Sequence, residues 1–270
     1  MTDPAKPTGG DRKWSDLMPR ILSAAVMVAL GSLMIWLGGH WFRLFVVLLS
    51  AGMVWELTRM SAPERPDRCY LMGAIAGVAA LAAIYLPAAI AMPLLLVPSM
   101  AAIALVPQRR TVVIAYAAMI LLAGFGMVRI RDDLGATWLL WLVAVVVVTD
   151  VLGYFAGRMI GGPKFWPRVS PKKTWSGTAA GWVGAAAVGL AYGQWSGLGI
   201  ALVGISIAVS MASQMGDIAE SAIKRKAGIK DSSNLIPGHG GLLDRFDGML
   251  GGSLFLLLAG PVAGFPPGIG

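Results

Sequence analysis

The chain has 270 residues and a formal net charge of +8, with 57% hydrophobic residues, only 13% charged ones and a mean hydropathy of +0.72. That balance excludes a water-soluble globular domain and points to an integral membrane protein. The single cysteine, Cys69, excludes an internal disulfide and a cysteine-based zinc site.

Residues 1–20 carry both signs of charge and little apolar content, and read as a cytoplasmic, largely disordered tail. The apolar run after them has no small-residue cleavage site, so it reads as a retained helix and not a signal peptide. A helix crosses the hydrocarbon core with about 20 apolar residues. About nine segments qualify, at 21–37, 43–57, 71–87, 89–106, 111–128, 138–157, 177–193, 199–215 and 248–264. The expected fold is therefore all-α and polytopic. Pro87, Pro93 and Pro98 interrupt the third and fourth segments.

Lys and Arg set the orientation. With the N-terminus inside, the basic side receives Arg59, Arg65, Arg68, Arg109, Arg110 and the two long loops 158–176 and 216–247. The expectation is N-in and C-out, with both long loops on the cytoplasmic face. Residues 21–136 form N-terminal helices of unassigned function, and 137–270 is the region expected to carry the chemistry. Arg43 and Glu56 sit near segment ends, where snorkelling accounts for them.

Within the sixth segment Asp150 is an ionisable group in an apolar run, which is costly unless it is functional or paired. Tyr154 and Arg158 follow at i+4 and i+8. Loop 158–176 holds Arg158, Lys164, Arg168, Lys172 and Lys173 and no acid, so it suits a polyanion. Ser170, Lys172, Lys173 and Thr174 supply hydroxyl and ammonium donors, and Trp175 a stacking face.

At the end of the eighth segment Asp217, Ser221 and Lys224 stand at i, i+4 and i+7 on one helical face. Past Arg225, the stretch Pro237-Gly238-His239-Gly240-Gly241 offers positive φ and close backbone approach, a way to aim N–H groups at an anion. Asp244 and Asp247, flanking Arg245 and Phe246, lie at i and i+3. With Asp217 they offer oxygen ligands for Mg²⁺ bound to substrate phosphates. His239 is either a structural hydrogen-bonder, a phosphate contact or an acid catalyst.

Together these residues resemble the phosphatidate cytidylyltransferase (CDP-diacylglycerol synthase) family. The resemblance rests on the ordered pattern Ser221, Lys224, Arg225, Lys230, Asp231, Pro237, His239, Gly240, Gly241, Asp244, Arg245 and Asp247. The Ser170-to-Trp175 run and the Asp150-to-Arg158 segment look like family motifs too, so the resemblance covers roughly the C-terminal half. One departure is Ser176, where the family commonly has Glu.

The resemblance implies transfer of a cytidylyl group from CTP to phosphatidate, giving CDP-diacylglycerol and pyrophosphate in phospholipid biosynthesis. It implies Mg²⁺ held by Asp217, Asp244 and Asp247, with a monovalent cation such as K⁺ beside it. The catalytic set would be Asp217, Lys224, Arg225, His239, Asp244 and Asp247. Substrate would be held by Asp150, Arg158, Ser170, Lys172, Lys173, Thr174, Ser221, Gly240, Gly241 and Arg245. The expected partners are CTP, bilayer phosphatidate and membrane lipid, with no nucleic acid. The expected setting is a bacterial inner membrane, the site facing the cytoplasm. The glycine-rich face of 177–193 is compatible with a homodimer.

Other classes weigh less. A transporter would suit Asp150 and the proline-interrupted helices, but no internal repeat pairs two such helices. A CDP-alcohol phosphatidyltransferase begins with a motif like Asp247-Gly248, yet no Ala-Arg follows. A CTP-dependent lipid kinase shares the substrate types and would release CDP.

Overall fold

The computed structural model describes residues 17–107 and 109–265; the start of the expected tail, through residue 16, lies outside the described residues. The helices are α1 (Leu17–Leu37), α2 (Gly39–Ser61), α3 (Pro66–Tyr85), α4 (Ala88–Leu95), α5 (Val97–Leu105) and α6 (Arg110–Arg129). A π-helical turn (Ile130–Leu134) leads into α7 (Ala136–Met159), and a ribbon of β1 (Lys164–Trp166) and β2 (Ser170–Thr174) follows. The chain ends in α8 (Trp175–Ser196), α9 (Ala201–Ala227) and α10 (Leu243–Ala259).

Every expected apolar segment is helical, and among the described residues six helices are long and apolar enough to cross a membrane: α1, α2, α3, α6 with its π-helical turn, α7 and α9. The fourth segment is two short helices. Pro93 lies inside α4 and Pro98 opens α5, because a proline withholds the N–H that would continue the ladder. Among the described residues the only sheet is an antiparallel ribbon, which pairs Lys164 with Thr174 and Trp166 with Ser170.

One buried cluster joins α2, α3 and α6 through Met53, Leu57, Met72 and Ile120, and reaches Leu250 of α10. A second surrounds Trp141 and Leu142 of α7 with Leu202 and Val209 of α9. Helix α8 lies on α7 along glycines. A Cβ at Gly181 would come 2.8 Å from Gln214 Nε2 and 3.0 Å from Thr149 Cγ2, and one at Gly153 would come 3.3 Å from the Gly177 carbonyl oxygen. Small residues let helix backbones approach in this way. Gly177, Gly181 and Gly184 of the glycine-rich face thus pack within the chain.

Polar contacts mark the two ends of the bundle. At one, Arg43 Nε meets Asp132 Oδ2 at 2.8 Å and His40 Nδ1 lies 2.6 Å from the Tyr85 hydroxyl. At the other, Ser23 of α1 and Glu56 of α2 reach the segment joining α9 to α10. The ribbon lies at this second end, so both long loops share it.

Candidate active site

Helices α7, α8 and α9 and the ribbon enclose a cavity of about 710 Å³, within the roughly 300–1,000 Å³ typical of small-molecule sites. Its wall includes Asp150, Tyr154, Arg158, Lys164, Lys172, Lys173, Thr174 and Asp217, with Trp182, Met211, Gln214 and Met215 deeper along the helices. The ribbon aims its lysines here because its ends are tied down. Thr174 caps α8 by accepting from Gly177 N at 3.2 Å, and Ser176 Oγ donates to the Gly161 carbonyl. The helix start is therefore capped without the family's usual Glu, and Ser176 ties the α8 start to the beginning of the ribbon loop.

Lys173 Nζ crosses to Asp217 Oδ2 at 2.5 Å, and Ser221 Oγ donates to Asp217 Oδ1 at 3.2 Å. Asp217 is brought beside α10 by glycines. A Cβ at Gly216 would be 3.1 Å from Gly251 N, so only a side-chain-free crossing fits. On α10, Asp247 Oδ1 accepts from Gly248 N at 2.7 Å. A Cβ at Gly248 would lie 2.7 Å from Ser213 Oγ and 3.9 Å from Asp150 Oδ2. Asp150, Asp217 and Asp247, one from each of three helices, thus lie within electrostatic reach of one another. The Ser213 hydroxyl beside them is buried without a hydrogen-bond partner.

The expected set of Asp217, Asp244 and Asp247 does not converge: among the described residues no three acidic, imidazole or thiol groups enclose a metal site. Asp244 is occupied elsewhere. Its Oδ2 accepts from Ser232 N, Ser232 Oγ and Gly241 N, each at 2.8 Å, and its Oδ1 accepts from Lys224 Nζ at 2.6 Å. Lys224 also reaches Glu220 Oε2 at 2.5 Å. Glu220 is fully buried, so this is an interior ion-pair triad and not the solvated helix-end pair that i,i+4 spacing suggests.

The other expected residues divide likewise. His239 Nδ1 lies 2.7 Å from Ser23 Oγ of α1, and its carbonyl accepts from Arg245 Nε at 3.0 Å. Gly238 and Gly240 do take positive φ, 73° and 81°, in the turn closed by His239 N to Ile236 O at 2.9 Å. The N–H groups of Gly241, Leu242 and Leu243, however, all donate to the protein's own carboxylates, so they do not form an anion cradle. Arg225 is exposed and donates to the Ile229 carbonyl. Ser170, Ser221, Lys224, Arg225, His239, Gly240, Gly241, Asp244, Arg245 and Asp247 are absent from the cavity wall, although Asp247 and Arg245 lie within electrostatic reach of Asp150. Arg158 donates to Tyr154 Oη at 2.9 Å, and Lys173 lies within electrostatic reach of Asp150.

Two features escaped the sequence reading. Gln214 accepts from Trp182 Nε1 at 3.0 Å and donates to the Thr178 carbonyl at 3.2 Å; an amide inside an apolar run is a signal that could have singled it out. Glu56 does not snorkel: it is fully buried and holds the α10 start.

The sequence is similar to those of known proteins. A family model described as the cytidylyltransferase family matches residues 18–259. A phosphatidate cytidylyltransferase of Brucella abortus biovar 1 (strain 9-941) is 36% identical over 264 residues, 93% of this chain and 96% of its own. One from Helicobacter pylori (strain ATCC 700392 / 26695) is 41% identical over 134 residues, 49% of this chain and 50% of its own. One from Bacillus subtilis (strain 168) is 40% identical over 126 residues, 46% and 47% of the two chains. The family match extends to the N-terminal helices, beyond the half in which the motifs are legible.

Proposed function

The chain belongs to the cytidylyltransferase family, and on that premise we propose that it is a phosphatidate cytidylyltransferase, joining the cytidylyl group of CTP to phosphatidate and releasing pyrophosphate. The observation that carries this reading is the cavity itself: lysines of a ribbon face aspartates of membrane helices across one space.

A phosphate oxygen of phosphatidate attacks the α-phosphorus of CTP. The bond from that phosphorus to the bridging oxygen breaks, and its electron pair leaves on pyrophosphate. The nucleophile is already anionic, so no protein nucleophile is needed. The chain must align the two phosphates and neutralise charge that would otherwise repel them. Arg158, Lys164 and Lys172 line the wall where a triphosphate would lie. Lys173, held at 2.5 Å by Asp217, is a fixed cation rather than a floating one. Thr174 supports the ribbon as a cap, and Met211, Trp182 and Met215 give the cavity an apolar side toward lipid.

Asp217 and Asp247 are the residues that would hold Mg²⁺. Two carboxylates with water and phosphate oxygens suit its hard, octahedral preference, and they need no third acid. Bound there, Mg²⁺ supplies Lewis-acid polarisation of the phosphates. Asp150 adds negative charge beside the pair, while Asp244 is engaged by Ser232, Gly241 and Lys224.

The site end of the bundle is proposed to face the cytoplasm of a bacterial inner membrane, with the N-terminus inside, because Arg59, Arg65, Arg68 and the basic ribbon cluster at that side. On this view α8, α10 and the α4–α5 pair complete nine crossings. The test follows the label: with CTP labelled at the α-phosphate, radioactivity should enter lipid extracts in the presence of phosphatidate. Label entering lipid from the γ-phosphate instead would make the protein a lipid kinase and overturn the reading.

A further inference from the structure

The N-terminal helices carry none of the legible motifs, yet one of their side chains grips the start of α10. Glu56, on α2 and fully buried, receives four donors. Its Oε1 accepts from Ser233 Oγ at 2.6 Å and Leu242 N at 2.9 Å, and its Oε2 from Ser232 Oγ at 3.2 Å and Leu243 N at 2.8 Å. The first N–H groups of a helix have no partner within it. Here a residue 186 or 187 positions earlier in the chain supplies that partner, and its charge suits the positive end of the helix.

Two close approaches fix the same geometry. A Cβ at Gly52, one turn before Glu56, would meet Leu242 Cδ1 at 2.6 Å, and one at Gly241 would meet Glu56 Cδ at 2.8 Å. Leu242 therefore seats its side chain on one turn of α2 and its N–H on the next. Through Ser232 the grip continues to Asp244, and through Asp244 to Lys224 and Glu220 of α9. Asp247 stands one turn into α10, so whatever fixes the α10 start also fixes where that carboxylate lies relative to Asp217.

We infer that Glu56 is a positioning residue: it holds the α10 start at the depth and rotation that bring Asp247 against Asp217 and Asp150, coupling the N-terminal helices to the reaction. This inference rests on the function proposed above. The basic residues proposed to bind CTP, Arg158 on α7 and Lys164, Lys172 and Lys173 on the ribbon, line the cavity, and Glu56 does not. Loss of the grip should therefore slow turnover more than it weakens CTP binding.

The test compares wild type with Glu56→Gln in detergent, measuring pyrophosphate release, thermal unfolding and hydrogen exchange of peptides covering 231–243. Glutamine turns an N–H₂ toward donors that need an acceptor. The expected result is folded protein with kcat lowered about 10- to 100-fold, the range a roughly 1 Å misplacement produces. The KM for CTP should stay within about threefold, and exchange should accelerate at 231–243 but not at 164–174. Unchanged kcat and exchange in folded variant, or a KM rising in step with the loss of kcat, would overturn the inference. Should Glu56→Gln fail to fold, Ser233→Ala removes one of the four donors; faster exchange at 231–243 with lower kcat supports the grip, and wild-type values of both refute it. If wild type itself releases no pyrophosphate, the proposed function fails, while the exchange comparison still decides whether Glu56 holds α10.

Discussion

Lys224→Met tests whether this lysine is chiefly an interior counter-ion. The side chains of Glu220, Asp244 and Lys224 are 0%, 3% and 12% exposed, and the lysine is the cation between the two acids. Removing one partner of a buried ion pair costs about 3–5 kcal/mol, because the remaining charge is stranded away from water. The two acids do not suffer equally. Asp244 keeps its donors from Ser232 and Gly241, whereas the Glu220 oxygens have no hydrogen-bond partner beyond that ion pair. Most of the loss should therefore fall on Glu220. Adding Glu220→Gln removes the stranded charge and should recover about half, leaving the roughly 1–3 kcal/mol of an imperfectly paired buried amide. Equilibrium unfolding in mixed detergent micelles reads both variants. A single-variant loss below about 1 kcal/mol, or a double variant no more stable than the single, would refute the reasoning.

Gly251→Val drives a branched side chain into the Ala212 carbonyl at the α9–α10 crossing; it should cost about 1–3 kcal/mol and lower kcat/KM by separating Asp217 from Asp247, as unfolding and pyrophosphate assays on one preparation will report. Lys173→Ala removes the fixed cation from the cavity wall and should reduce kcat/KM about 100-fold, the scale of losing one preorganised electrostatic donor, with little change in unfolding temperature. Arg43→Gln breaks the ion pair to Asp132 at the far end of the bundle. It should cost at most about 1 kcal/mol and leave turnover at the wild-type value.

The helices were legible because long apolar runs have few alternatives in a bilayer, and the break at Leu96 followed from Pro93 and Pro98. The Ser221-to-Asp247 pattern located the right segment for the same kind of reason: charged and glycine-rich residues between apolar helices require an explanation. Assigning individual roles went less far. Asp244 and Asp247 look equivalent at i and i+3, but only the fold decides that one turns into the Ser232 and Lys224 network while the other lies within electrostatic reach of Asp217 and Asp150. Glu56 was hidden for a different reason: its four donors come from residues 176 to 187 positions away, and nothing local to α2 distinguishes it from a helix-end glutamate. The ribbon was missed because Ser170-Pro171-Lys172-Lys173-Thr174 has no apolar alternation to announce a strand.

The central claim is that CTP is cleaved at its α-phosphate by phosphatidate, over a site that includes Asp247. Pyrophosphate release from CTP by purified protein, with and without phosphatidate across a Mg²⁺ titration, beside Asp247→Asn, tests it most directly. Release should require phosphatidate and Mg²⁺ and be abolished by the substitution in folded protein. Release that ignores phosphatidate, or survives Asp247→Asn at the wild-type rate, would contradict it.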